Sequence, residues 1–189
     1  MSFTLFPQKT ALVLIDLQHG IVGLPTEPRS AQEVVATCHR LGDTFREKGA
    51  LVVFVRVDLN YMSPVLADVS LSDPTAPPPP PQASLIVPEA NMQAGDILIT
   101  KRHWDAFTGT ELERTLRKHG VEAIVLAGIA TNMGVESTAR HAVALGFHLV
   151  LAEDACSALT KVGHSSSVEN VFPLLSRVRR SAEILDALI

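Results

Sequence analysis

Cysteine is scarce in this chain. Cys38 and Cys156 are the only two in 189 residues, too few and too far apart for a disulfide framework or a zinc site. Lys and Arg never run more than two together, and the net charge is −4, so there is no electrostatic footprint for nucleic acid or an anionic membrane. No apolar stretch reaches the roughly 18 residues that a membrane span needs. The first nine residues, Met1 to Lys9, lack the basic start, apolar centre and small-residue cleavage site of a secretory leader. Neither nucleic acid nor membrane is therefore expected as a partner, and a reducing cytoplasm is the expected home. Also missing is a Gly-x-Gly-x-x-Gly fingerprint: the first apolar run is followed by Asp16-Leu-Gln-His-Gly20, and no P-loop occurs elsewhere. No nucleotide cofactor, or other cofactor, is expected.

What the chain does have is the composition of an ordinary globular protein, 47% hydrophobic and 19% charged, and a length that suits one domain over 1–189. Apolar, β-branched runs at Ala11–Ile15, Ala50–Val57, Ile97–Thr100, Ala123–Ala127 and His148–Ala152 read as strands buried on both faces. Between them lie helix signals. Ser30-Ala-Gln-Glu33 and Thr110-Glu-Leu-Glu113 match the capping box, and Gly49 and Gly120 mark helix ends. Leu112 and Leu116 share one helix face, and a short C-terminal helix over Ser181 to Ile189 turns Ile184, Leu185 and Leu188 inward. Strands alternating with helices imply an α/β fold, with right-handed crossovers and a mostly parallel sheet covered on both faces. The stretch 63–88 breaks the rhythm with Pro77 to Pro81 in succession. Proline fixes φ and removes a donor, so a surface loop without helix or central strand is expected there, as a solvated insertion, a lid or a subunit contact.

In an open parallel sheet, ligands bind beyond the carboxyl ends of the strands. That rule selects Asp16-Leu-Gln18 after the first strand, Lys101-Arg-His-Trp-Asp-Ala-Phe107 after the third, and the turn from Gly128 to Gly134 after the fourth. A carboxylate emerging from a buried strand needs a partner; Asp16 suits a helix cap or turn as well as catalysis, and Lys101 suits a surface lysine with a buried stem as well as a site ammonium. The start of a helix after the turn points backbone N–H groups and the positive end of its dipole at whatever binds. Thr131, Ser137 and Thr138 carry hydroxyls near this turn with no histidine evidently placed for them, so capping and packing are their expected roles. Trp104 and Phe107 suit an apolar wall as well as they suit a core.

Together, Ala11-Leu-Val-Leu-Ile-Asp-Leu-Gln18, Thr100-Lys101, Gly128-Ile-Ala-Thr-Asn-Met-Gly-Val-Glu-Ser-Thr-Ala-Arg140 and Gly146-Phe-His-Leu-Val-Leu-Ala-Glu-Asp-Ala155 resemble the isochorismatase-like hydrolase superfamily, the cysteine hydrolases, over nearly the whole chain. The resemblance implies a Rossmann-like three-layer α/β/α sandwich on a six-stranded sheet, a homo-oligomer of two or more subunits, and a pocket for a small molecule. It also implies a non-proline cis peptide at Ile129–Ala130. In amidase members such as nicotinamidases the site is an Asp-Lys-Cys triad. Asp16 and Lys101 match its first two members, and the cysteine's place falls on Gly134, which has no side chain with which to attack. Gln18, Trp104, Phe107, Ile129 and Ala130 are the implied substrate contacts.

Superfamily members with glycine at this place hydrolyse a vinyl ether, which needs no protein nucleophile. The implied function is therefore a hydrolase for a small anionic or carbonyl-containing molecule, with Asp16 as acid. Lys101 is its charge partner or a ligand for a substrate carboxylate, and Arg56 and Arg102 are further candidate cations. Two alternatives stand beside it: a non-catalytic metabolite-binding or oligomer-forming paralogue, and an amidohydrolase whose nucleophile has moved to Cys156, read as lying in the loop after the fifth strand, or to Cys38. Zinc-binding amidases resembled here carry Asp-x-His after the second strand. This chain has Asp58-Leu-Asn60, so no metal is expected, and His103 stands alone.

Overall fold

The structure, a computed structural model, describes residues 3–70 and 75–189. Six strands form one sheet: β1 (Thr10–Ile15), β2 (Leu51–Val57), β3 (Ile97–Lys101), β4 (Ala123–Ile129), β5 (His148–Ser157) and β6 (Arg177–Arg179). Their order is β3-β2-β1-β4-β5-β6, and every neighbouring pair is parallel. The apolar runs form the strands because the sheet is covered on both faces. Each residue of β1 is buried, and so are six of the seven in β4. The helices are α1 (His19–Val22), α2 (Ala31–Glu47), α3 (Leu112–Lys118), α4 (Glu136–Ala144), α5 (Lys161–Ser166), α6 (Phe172–Leu175) and α7 (Ser181–Ala187). The chain steps outward from β1 in one direction and from β4 in the other, so right-handed crossovers place α2 and α4 on opposite faces. The strand order reverses between β1 and β4, and the crevice at their carboxyl ends is the natural ligand position of such a sheet.

Local chemistry explains the element ends. Ser30 caps α2 as the sequence predicts: its hydroxyl accepts from the Glu33 N–H while the Glu33 carboxylate accepts from the Ser30 N–H, an arrangement worth about 1 kcal/mol. The second expected capping box does not form. Helix α3 begins only at Leu112, with Glu111 before it and no side-chain cap of that kind. The Thr110 hydroxyl instead donates to the Ala106 carbonyl at 2.6 Å and accepts from the Leu112 N–H at 3.2 Å. Leu112 and Leu116 are fully buried, as are Ile184 and Leu188 in the C-terminal segment, while Leu185 is partly buried against the same core.

The sixth strand that the resemblance implies is Arg177–Arg179, too short and too charged to register as an apolar run. Two further features differ from what the sequence predicts. Strand β5 continues past Ala152 to Ser157 through a shift in register, and Cys156 pairs with Gly128 inside it. Cys156 is therefore a strand residue and not a loop residue. The proline-rich segment is not a bare loop throughout: single 3-10 turns form at Pro81–Ser84 and Pro88–Ala90, each with proline at the start, where its missing N–H has no partner to lose. Residues 71–74 of that segment lie outside the described residues. No helix among the described residues is long and apolar enough to cross a membrane.

Candidate active site

Asp16 is the first residue beyond β1. It adopts φ +55°, a left-handed bend that aspartate tolerates better than most residues, and its N–H donates to the Val55 carbonyl of β2 at 2.8 Å. One of its carboxylate oxygens, Oδ2, lies 2.9 Å from the Lys101 ammonium at the end of β3. Both side chains are nearly sealed from solvent, 8% and 3% exposed for Asp16 and Lys101. The lysine's other two N–H donors go to the carbonyls of His103 at 3.2 Å and Trp104 at 3.0 Å, as the chain after β3 folds back over it. An ammonium has three donors, and all three are committed. Lys101 is thus a fixed partner of Asp16, and the expectation that it would itself take a substrate carboxylate is corrected.

The other carboxylate oxygen of Asp16, Oδ1, is buried with no hydrogen-bond partner. Burial raises the Asp16 carboxyl from its ordinary 3.8 to about 6, against the opposing pull of Lys101. A charged oxygen without a donor in a low-dielectric interior is costly, and holding a proton relieves that cost.

The third strand end brings Gly134 to the same place. Gly128, at φ +124°, crosses β1 so closely that any Cβ would lie 2.1 Å from the Ile15 carbonyl oxygen. Only glycine permits that approach. The chain then passes through a cis peptide at Ile129–Ala130 and a wide turn over Thr131–Val135, kinked at Met133 (φ −124°, ψ −105°), before α4 begins. A Cβ at Gly134 would stand 3.2 Å from Asp16 Oδ2 and 3.4 Å from the Trp104 carbonyl oxygen. The Thr138 hydroxyl locks this contact: it donates to the Gly134 carbonyl at 2.7 Å and accepts from the Ala106 N–H at 3.0 Å. Asp16, Lys101 and Gly134, read from three separate strand ends, therefore meet at one point. Ile129 and Ala130 flank it, both buried.

Other expected contacts go elsewhere. Gln18 is fully buried, its two N–H donors taken by the carbonyls of Val57 and Ala83 and its oxygen by the Val57 N–H. It clamps the loop after β2 and has no free donor for a substrate. Phe107 is a core residue, packed on the rings of Phe147 and His141. Trp104 is 41% exposed and contributes its backbone carbonyl to Lys101. Arg56 bonds the Thr100 hydroxyl, which places it on the sheet face opposite Lys101 by strand alternation. There it lines a cavity of about 750 Å³ walled by Pro78 to Pro81. Arg102 lies over the Tyr61 ring, and His103 meets the Ser63 hydroxyl at 3.2 Å. Asp58 accepts from the Asn60 N–H, and no group of three or more His, Cys, Asp or Glu among the described residues is arranged to hold a metal ion. Both cysteines are buried, and burial pushes the Cys156 thiol up to about 12 and that of Cys38 well above its ordinary value.

One residue was missed. His164, in α5, places Nδ1 2.8 Å from the Thr131 hydroxyl, so the turn does have a histidine set against it. The two are 33 residues apart, and the short polar α5 has no apolar periodicity to reveal its placement.

The Isochorismatase domain model matches residues 10–183. The chain is 45% identical to the isochorismatase family protein YecD of Escherichia coli O157:H7, over 95% of this chain and 96% of that one. It is 31% identical to the ureidoacrylate amidohydrolase RutB of Rhizobium rhizogenes, over 80% of this chain and 72% of that one. Among solved structures, an isochorismatase family protein of Burkholderia thailandensis superposes with a TM-score of 0.91 at 39% identity, covering 100% of this chain and 99% of that one.

Proposed function

This chain belongs to the isochorismatase family, a family of hydrolases, and we propose that it hydrolyses a small anionic substrate without a covalent protein intermediate, vinyl-ether hydrolysis being the favoured chemistry. The observation that carries this reading is the position of Gly134, which has no side chain and packs so closely that a Cβ would lie 3.2 Å from both Asp16 Oδ2 and Ile15 Cγ2. In the triad the family resemblance implies, that place belongs to the nucleophile. Here it holds no thiol, while burial raises the adjacent carboxyl to about 6, as a general acid near neutral pH requires. In its acid form Asp16 delivers its proton to the terminal carbon of the enol ether. Water adds to the resulting oxocarbenium ion and returns a proton to the carboxylate, and the hemiketal collapses to pyruvate and an alcohol. Lys101 keeps Asp16 in place and steadies its charged form between these steps.

The RutB relative raises amide hydrolysis as a second reading. A thiol route would need a cysteine at the site, and the burial of Cys38 and Cys156 gives it neither. The proposal includes a homo-oligomer, dimer or larger, supported by exposed apolar side chains at Tyr61, Val65, Leu66 and Val69. The test is pyruvate release from isochorismate, beside an Asp16→Asn control. Release that depends on Asp16 supports the reading, whereas equal rates in the two proteins sink it. Tight ligand binding with no turnover of vinyl ethers, amides or esters would assign the chain to a non-catalytic metabolite-binding role.

A further inference from the structure

Behind the turn that carries Gly134 lies a buried chain of polar groups that the reaction above does not use. The Thr131 hydroxyl, fully buried, meets His164 Nδ1 at 2.8 Å. On its other side, His164 Nε2 faces Glu153 Oε1 of β5 at 3.7 Å. The same carboxylate oxygen accepts from the Arg29 guanidinium at 2.8 Å. These two neighbours, the imidazole first, hold the Glu153 carboxyl down at about 2. His164 itself is 3% exposed. A thoroughly buried hydroxyl with a base beside it is no nucleophile, because no substrate reaches it. Its use must be internal.

A second set of contacts shows what that use is. Helix α5 is pressed against the turn along its length. A Cβ at Gly163 would come within 2.8 Å of Asn132 Nδ2, so the helix approaches as closely as a residue without a side chain allows. One residue on, His164 bonds Thr131, and just past the helix the Ser167 hydroxyl donates to Glu136 Oε2 at 2.6 Å. Residues 163, 164 and 167 thus meet 132, 131 and 136 in turn. The Thr160 hydroxyl caps α5 by accepting from the Gly163 N–H. Of these contacts, His164 supplies the one that reaches the first residue after the Ile129–Ala130 bond.

We infer that His164 is a positioning residue: with Glu153 behind it, its ring fixes the Thr131 hydroxyl and so holds the turn that sets Gly134 against Asp16. At 3.7 Å the Glu153 carboxylate is too far from Nε2 for a hydrogen bond, but its negative charge on that side of the ring favours the proton on Nε2. Nδ1 is then left bare to accept from the Thr131 O–H. This inference rests on the Asp16–Gly134 site being the functional one, but its first readouts need no turnover.

The test compares His164→Asn with His164→Gln in the full-length chain. The asparagine amide stays where Nδ1 was and can still accept from Thr131, whereas the glutamine amide reaches toward Glu153. Thr131→Val, nearly isosteric, removes the hydroxyl without disturbing α5. In 15N-labelled wild-type protein the His164 ring is expected as the Nε2–H tautomer. Amide hydrogen exchange at residues 131–134 is expected to quicken about ten-fold in His164→Gln and Thr131→Val, and to stay within about three-fold of wild type in His164→Asn. With isochorismate as the probe, kcat is expected to fall about ten-fold at unchanged KM in the first two variants and to be rescued in His164→Asn. An Nδ1–H tautomer, or turn amides that exchange alike in all four proteins, overturns the inference. If isochorismate is not turned over, the functional proposal fails while the NMR readouts still decide this one.

Discussion

Asp16 stands just beyond β1 and Glu153 within β5, and each carboxylate has a cation in contact, Lys101 at 2.9 Å and Arg29 at 2.8 Å. Their proton affinities nevertheless move in opposite directions, Asp16 up to about 6 and Glu153 down to about 2. The cation is common to both, so it does not decide the sign. Depth and completeness do. The Asp16 side chain is 8% exposed with one oxygen unpartnered, while Glu153 is 23% exposed and shares its charge with an imidazole and a guanidinium. A carboxylate whose charged form is well solvated by protein groups is structural, and one denied that solvation is ready to take and give a proton. Of the two, only Asp16 has the proton affinity that the proposed reaction asks of its acid.

The strongest way to break that distinction is to remove the proton carrier. Asp16→Asn is expected to lower kcat/KM for isochorismate by about 10³-fold, the scale of general acid–base catalysis. In the unaltered chain kcat/KM is expected to fall about ten-fold per pH unit above about 6, because only the protonated acid reacts. A rate that is flat from pH 5 to 8 would show that Asp16 is not the acid. Next in size is the same shift read as stability. A carboxyl that binds its proton more tightly when folded destabilises the fold as pH rises from its ordinary 3.8 through about 6. Denaturant unfolding should therefore show wild type losing about 3 kcal/mol relative to Asp16→Asn between pH 3 and pH 7. A constant difference across that range would remove the shift.

Much of this arrangement was legible in the sequence, and the residues show why. Asp16 and Lys101 were readable because each stands at the end of a strand whose apolar run announces it, and Gly134 because the resemblance puts the triad's third place in the turn after the fourth strand; in a parallel sheet all the carboxyl ends lie on one side. Phe107 and Gln18 were misjudged for a related reason. Position in a loop beyond a strand says that a side chain is near the site, not which way it turns, and these two turn into the core and onto neighbouring backbone carbonyls. Cys156 reads as a loop residue because β5 shifts register against β4 after Leu151 and runs on through Glu153 and Asp154, charged residues that an apolar pattern cannot include. The Thr131–His164 pair depends on docking a six-residue helix with no apolar stripe, for which local sequence carries no signal.

Glu153 offers the reverse test at a smaller scale. Its depressed carboxyl contributes stability that is present above its ordinary 4.5 and is lost as pH falls toward about 2. Glu153→Gln is expected to cost about 1.5–3 kcal/mol at pH 7, the range for hydrogen bonds to charged groups, and to flatten acid unfolding between pH 4 and pH 2. The fall in kcat/KM near pH 6 should stay where it is. Movement of that limb, with no loss of stability, would make Glu153 part of the chemistry and merge the two carboxylates into one class.

The smallest expected effect probes the space beside Asp16. Gly134→Ala adds a single methyl 3.2 Å from Asp16 Oδ2 and equally close to Ile15 Cγ2, tighter than ordinary contact, so neighbours must yield by a few tenths of an ångström. The backbone at 134, unlike that at Gly128, has no left-handed φ to penalise a side chain. The change in stability should therefore stay within about 1 kcal/mol. The methyl withdraws more polar surroundings from a carboxyl that is already poorly solvated, which raises its proton affinity further. The kcat/KM limb is then expected to move to slightly higher pH, while KM rises because the crowded Asp16 carboxyl must shift. Titration of a 13C label in the Asp16 carboxyl reads the first effect without any substrate. If that titration is unchanged and KM is unaltered, the close packing of Gly134 on Asp16 would have no part in the chemistry.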